Sequence, residues 1–210
     1  MSLSSDLLQV FNNMRYAGDG NNMTFAQGVM SAVRKSFESG RTLATIYSGS
    51  CSFGTVPGTV IGNSININGG IGEGSATNNL YSELEAMSAR ASGMDIEWVK
   101  AVTDACSDLV TSGEIHEMAV GTAIPPATPP PTIPAAGPGK GTLNDAPAKA
   151  LLFAALMAIP AAMGNTGNDS IMANLMATAI LAYFAMCIGT FKGEGPLVGL
   201  QGTNVMIANM

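Results

Sequence analysis

The sequence predicts a mainly α chain of the α+β class, built as three αα-hairpins each followed by a short strand and a Gly/Pro-rich extended arm. Three observations carry this. Apolar residues at helical spacing occur in three successive pairs of segments; each pair is followed by β-branched residues alternating among Gly and Pro; and the three stretches can be laid over one another at fixed boundaries.

In the first hairpin, Ser4 or Ser5 can cap a helix with Leu7, Leu8, Phe11 and Met14 on one face, and AGDGNN breaks it. Phe25, Val29, Ala32, Val33 and Phe37 then share the face of a second helix, with Gly40 placed as its C-terminal stop. The text after Gly40, RTLATIYSGSCSFGTVPGTVIGNSININGGIGEGSA, reads as short strands and turns. In the second hairpin a helix from Thr77 or Asn79 carries Leu80, Leu84 and Met87, and a partner carries Val99, Val102, Cys106, Leu109 and Val110 up to Gly113.

IHEMAVGTAI follows as a strand, and AIPPATPPPTIPAAGPGKG, Ala123 to Gly141, reads as polyproline II or loop because its prolines lack backbone donors. The third hairpin starts at Asp145 with Pro147 in its first turn, is broken at GNTGND, and runs to Gly189. Met14 to Gly40, Met87 to Gly113 and Met163 to Gly189 mark the same boundaries. Leu7, Leu80 and Leu156 form one supporting column, and Phe37, Val110 and Met186 another. The expected units are therefore 1–75, 76–143 and 144–210. Each hairpin is too short to bury a core alone, so hairpins must pack on one another or on other copies.

Charged residues are 11% of the chain against about 25% in ordinary soluble domains, leaving a surface poorly protected against association. The net charge of -6 supplies no basic footprint for a phosphate backbone, so nucleic acid is not an expected partner. Cys51, Cys106 and Cys187 lie far apart with no zinc or redox spacing and read as reduced thiols. The opening MSLSSDLLQVFNNM lacks the basic and apolar regions of a secretory signal.

Residues 150–168 and 170–191 carry no charged group other than Asp169, which separates them, and the second run, 22 residues long, has the length of a membrane span. Pro160 interrupts the first. The corresponding second-unit helices carry Glu83, Glu85, Arg90, Asp95, Glu97, Lys100, Asp104 and Asp108, so burial inside an assembly is favoured over a bilayer.

No residue is assigned a catalytic, cofactor-binding or metal role. GPGKGT, Gly137 to Thr142, has Pro134 and Gly141 where a phosphate loop needs Gly and Ser or Thr, and reads as a linker. GGIGEGSA has the wrong glycine spacing for a dinucleotide site and reads as a turn. His116 has Glu114 and Glu117 as its nearest carboxylates, too few ligands for a metal. Asp104 and Asp108, with Lys100 one turn earlier, read as a solvated helix face. Ser64 lacks the frame of a nucleophile elbow. Trp98 and the Phe and Met residues read as core or interface.

SSDLLQVFNNM, SFESGRTLATIYSGSCSFGTVPGTVIG, GTAIPP and GPGKGT together resemble virion structural proteins of tailed bacteriophages. That resemblance implies a non-enzymatic tail, baseplate, neck or capsid-associated component, assembled in the host cytoplasm with copies of itself and other structural proteins. The alternative is a membrane-active helical hairpin, holin-like or part of a small channel, using residues 150–191.

Overall fold

The computed structural model describes residues 2–17, 21–38, 41–42, 45–52, 54–62, 66–67, 70–90, 95–125, 133–163 and 168–207. The chain is α+β, with helices and one antiparallel sheet. Its helices are α1 (Leu3–Ala17), α2 (Asn22–Glu38), α3 (Gly70–Arg90), α4 (Asp95–Thr111), α5 (Ala146–Met157), α6 (Ile159–Met163) and α7 (Asp169–Met186). The strands are β1 (Arg41–Thr42), β2 (Thr45–Cys51), β3 (Gly54–Gly62), β4 (Asn66–Ile67), β5 (Glu114–Ala123), β6 (Ile133–Asn144), β7 (Ile188–Gly193) and β8 (Leu200–Ile207).

Neighbouring helices pack pairwise in a closed circuit: α1 on α2, then α3, α4, α5, α7 and back to α1. The second helix of each pair is the more buried. On α2 these are Phe25, Ala26, Val29, Met30, Val33 and Phe37; on α7, Ala173, Met176, Ala177, Ile180, Tyr183 and Phe184. The buried Phe37 and Phe184 rings are in contact. Leu7, Leu80 and Leu156 on the first helices are all fully buried.

The sheet also closes. Strands β2, β3, β5, β6, β7 and β8 pair in that order and β8 returns to β2, so six antiparallel strands form a barrel. Closure removes most of the free edge on this circuit; residues 133–138 of β6 have no β7 partner among the described residues, and the Glu194 N–H bonds the Pro138 carbonyl there. Strands from 1–75, 76–143 and 144–210 all contribute to this one sheet. Tyr47 on β2 lies against Gly139 on β6, three places around the ring, a reach that crosses the interior. A ring this narrow has room for few side chains. Glycines supply the space: Gly141 and Gly189 flank the Phe191 ring, and Gly137 and Gly193 lie against Leu197, from the 3-10 turn Gly195–Leu197.

This architecture corrects the expected arms. GTVPGTV lies in β3, GTAIPP begins within β5, GEGPLVG forms the connection from β7 to β8, and Ile133 to Gly141 of the proline-rich stretch lies in β6, paired with β5 throughout and with β7 only from Gly139 on. Residues 126–132 fall outside the described residues. Pro134 and Pro138 are tolerated because backbone groups alternate in direction along a strand. The Pro138 carbonyl accepts from the Glu194 N–H, on the side away from β5, so the missing proline donors remove no β5–β6 bond.

Other expectations are corrected locally. Gly70–Ala76 of GGIGEGSA opens α3 and does not form a turn; Glu73 is ion-paired with Arg34 and Ala76 is fully buried. The left-handed glycines among the described residues are Gly49, Gly54, Gly195 and Gly199, so neither Gly113 nor Gly189 is a left-handed helix stop. A side chain at Gly189 would instead meet the Phe191 ring, with its Cβ only 2.5 Å from the ring edge. Gly40 and Ser64 fall outside the described residues. Met186, the residue set in line with Phe37 and Val110, is 44% exposed, whereas Phe184 two residues earlier is 2% exposed.

Thr103 on α4 is 2% exposed, and its hydroxyl has no partner among the described residues. An orphaned buried hydroxyl opposes folding, and valine has nearly its shape. Thr103→Val is expected to raise stability by about 1 kcal/mol, checked as an upward shift of the urea midpoint at unchanged slope.

Candidate functional site

The polar candidates fall in separate places. On the outside of the barrel, β5 and β6 set His116 opposite Lys140, and the Lys140 ammonium lies 2.7 Å from Glu114. The hydrogen bond from Lys140 holds the Glu114 carboxyl below its ordinary range and raises Lys140 in turn. His116 stands 3.7 Å from Glu114. Glu117 does not join them. The β5 alternation turns Glu117 inward, where it accepts a hydrogen bond from the Tyr47 hydroxyl inside the barrel.

A cleft of about 310 Å³ between α3, α4 and α5 holds Asn79, Ser82, Glu83, Asp104, Asp108 and Lys149. Asp104 lies 2.8 Å from Lys100, the expected one-turn pair, and 2.9 Å from Lys149 of α5. Burial works against the Asp104 carboxylate, but the two lysine hydrogen bonds outweigh it and hold its pKa below the usual range. Asp108 accepts from Asn79 at 2.6 Å. These contacts brace three helices; the two carboxylates already have partners.

GPGKGT lies within β6, with Gly137, Gly139 and Gly141 turned into the packed interior and Lys140 outward. The linker reading is therefore corrected, and the glycines accommodate Tyr47, Phe191 and Leu197. Trp98 is half-buried in a shallow apolar groove of about 470 Å³ with Phe11, Met14, Phe25, Met163 and Met172. An Arg15 to Asp169 ion pair of 3.0 Å also borders it.

At the junction of helices and barrel, Tyr183 donates to buried Asp145 at 2.7 Å, and Cys187 donates to the Tyr183 carbonyl. Burial pushes the thiols of Cys106 and Cys187 up to about 12, so both are protonated at neutral pH. Among the described residues no three His, Cys, Asp or Glu are grouped to hold a metal. No protein family, curated protein or solved structure matches this chain.

Sequence reasoning missed Tyr47 and Glu117 as a buried pair. The available signal was the alternation Ile115, Glu117, Ala119, which puts the glutamate on the apolar side of its strand.

The surface feature that stands out is apolar. Met118 and Val120 on β5 are 52% and 55% exposed, and their register partners on β6 are Pro138 and Ala136, also exposed. On α5, Leu151 is 50% exposed among Ala150, Ala154 and Ala155. The outward residues of α3 include Glu83, Glu85 and Arg90, as a water-facing helix requires.

Proposed function

We propose that the chain is a non-enzymatic structural subunit of a larger homo- or hetero-oligomer. The observation that carries this reading is the set of large apolar side chains left uncovered on β5, α5 and α7 in a chain with few charges. On β5, Met118 and Val120 face outward side by side, and adjoining large apolar groups are uncommon on monomer surfaces. The sequence resemblance directs the reading to a tailed-bacteriophage virion component of the tail, baseplate, neck or capsid-associated class, with other copies and other structural proteins as partners.

We also propose that the subunit arose by internal triplication. Supporting this, Phe37, Val110 and Phe184 are each followed four residues later by the first residue of a strand: Arg41, Glu114 and Ile188. The spacings are 73 and 74 residues, more even than Gly40, Gly113 and Gly189 suggest. Each helical pair precedes an antiparallel strand pair, and α2, α4 and α7 each contact the sheet. Stacking three short units that cannot bury a face alone gives one shared core.

The second reading is a membrane-active hairpin. Ala146–Met163 and Asp169–Met186 are each long and apolar enough to cross a bilayer. Against that use, α7 packs on both α1 and α5. Fractionation of cells expressing the full chain separates the two readings. The structural reading expects soluble protein without detergent; recovery in the membrane fraction alone overturns it and favours the hairpin.

A further inference from the structure

The groove around Trp98 and the proline-rich crossing from β5 to β6 lie at opposite ends of the molecule. The register sets Glu114 against Thr142 and Asn144 against Ile188, so the strand ends that join α4, α5 and α7 share one rim of the barrel. The helices stand on that rim and do not fold back along the wall, because Met118 and Val120 of β5 and Pro138 of β6 face outward uncovered. Trp98 precedes Thr111, the end of α4, by 13 residues, which is about 20 Å at 1.5 Å per residue. Phe25 and Met172 likewise lie near the starts of α2 and α7.

Ala123 and Ile133 pair at the other end of β5 and β6, about 30 Å from Glu114 at roughly 3.3 Å per residue. The chain between them, IPPATPPPT, leaves and returns to this far rim, so it extends at most about half its stretched length, roughly 15 Å. It cannot reach the groove of its own chain.

We infer that this proline-rich crossing of one copy docks in the Trp98 groove of another, joining copies head to tail. This rests on the assembly reading above and names one of its contacts.

The two parts match chemically. The segment has no charged residue, and its prolines lack N–H donors while keeping apolar rings and carbonyl acceptors. The groove offers the aromatic rings of Phe11, Phe25 and Trp98, and the Trp98 indole N–H has no hydrogen-bond partner among the described residues. Aromatic-lined grooves suit proline-rich chain because a polyproline helix is already extended and loses little freedom on binding. The charged residues lining the groove, Arg15 and Asp169, neutralise each other at 3.0 Å, which favours an uncharged occupant over an anionic headgroup. Groove and occupant are different surfaces, so the contact is heterologous: each copy gives one and receives one, and the series closes as a ring or grows as a filament.

Sedimentation velocity of the full chain over a concentration series tests this. The loop variant, Pro129→Ser with Pro130→Ser and Pro131→Ser, and the groove variant, Trp98→Ala, are each expected to weaken self-association at least about tenfold, the scale of an interface residue worth 1.4 kcal/mol. Mixed together they should pair once and go no further, since the loop variant keeps its groove and the groove variant keeps its loop. Trp98 is the only tryptophan, so its fluorescence reads the groove directly. The peptide IPPATPPPTIP, residues 124–134, should shift the Trp98 emission of the loop variant saturably, and the same peptide with serine at 129–131 should not. An absent shift overturns the contact, whether or not the Trp98→Ala chain folds. If the parent associates and the loop variant matches it, the contact is wrong while the assembly reading stands. A parent that stays a 21.4 kDa monomer at every concentration overturns the head-to-tail joining and the homo-oligomer reading together. Flotation of the parent with phosphatidylglycerol vesicles, lost in Trp98→Ala, overturns it in favour of a bilayer.

Discussion

Gly139→Ala is expected to cost about 3–5 kcal/mol, combining overpacking with the loss of a hydrogen bond to a charged group. A Cβ at this position would run into the Tyr47 hydroxyl and lie 2.9 Å from its Cζ. The phenol cannot retreat easily, because it is fully buried and its hydroxyl is held by Glu117 on the neighbouring side of the interior. Moving Tyr47 therefore also disturbs a carboxylate that is 4% exposed. Urea unfolding checks the size of the effect, and Gly74→Ala serves as a control. Gly74 has open space where a Cβ would lie and is in α3, where alanine favours helix by about 1 kcal/mol. If Gly139→Ala is as stable as the parent, Tyr47 does not occupy the barrel interior. The double variant with Tyr47→Phe should be less destabilised than the two single changes added together, since both act on one contact.

The second large effect is alkaline instability. Burial raises the pKa of Tyr47 above its ordinary value, reinforced by Glu117; burial also raises Tyr183, reinforced by Cys187 and Asp145. In each case the folded state prefers the protonated phenol. Its contribution is fully present below the unfolded pKa of about 10 and is lost as pH rises above it. Cys106 and Cys187, pushed up to about 12 from 9.0, act in the same direction from about pH 9. Each such group removes about 1.4 kcal/mol per pH unit once its unfolded form has ionised. Against a total stability of about 5–15 kcal/mol, that is enough to unfold the chain between about pH 10 and 12. Tyr47 and Tyr183 should ionise together with unfolding in the ultraviolet absorbance titration. A urea midpoint unchanged from pH 9 to 11 would falsify this linkage.

The helices were legible in the sequence where one face is polar. The apolar positions of α2 and α4, from Phe25 to Phe37 and from Val99 to Val110, are the buried ones, and the helix breaks at Ala158, two residues before Pro160 in the first turn of α6. On α7, which is apolar around most of its circumference, spacing alone could not separate buried Phe184 from exposed Met186. Barrel closure was not legible because it depends on pairings between distant segments, such as Ser48 with Gln201 and Ile61 with Val120. The β6 strand was misread because proline and glycine were weighed as local breakers. Their effect depends on which way each backbone group faces and on what fills the space beside each glycine.

Among the candidate polar residues, the Lys100 to Asp104 pair was readable from helical spacing, whereas Lys149 reaches Asp104 only through the packing of α5 on α4. Tyr47 and Glu117 are 70 positions apart and meet only because the barrel closes around them.

The central claim, that this chain is built to be covered by partners, is tested most directly by the light-scattering mass of the detergent-free full chain. The account predicts a discrete soluble species whose mass is a multiple of 21.4 kDa. A monomer at all concentrations, together with recovery of the remaining protein only in bilayers, would contradict it.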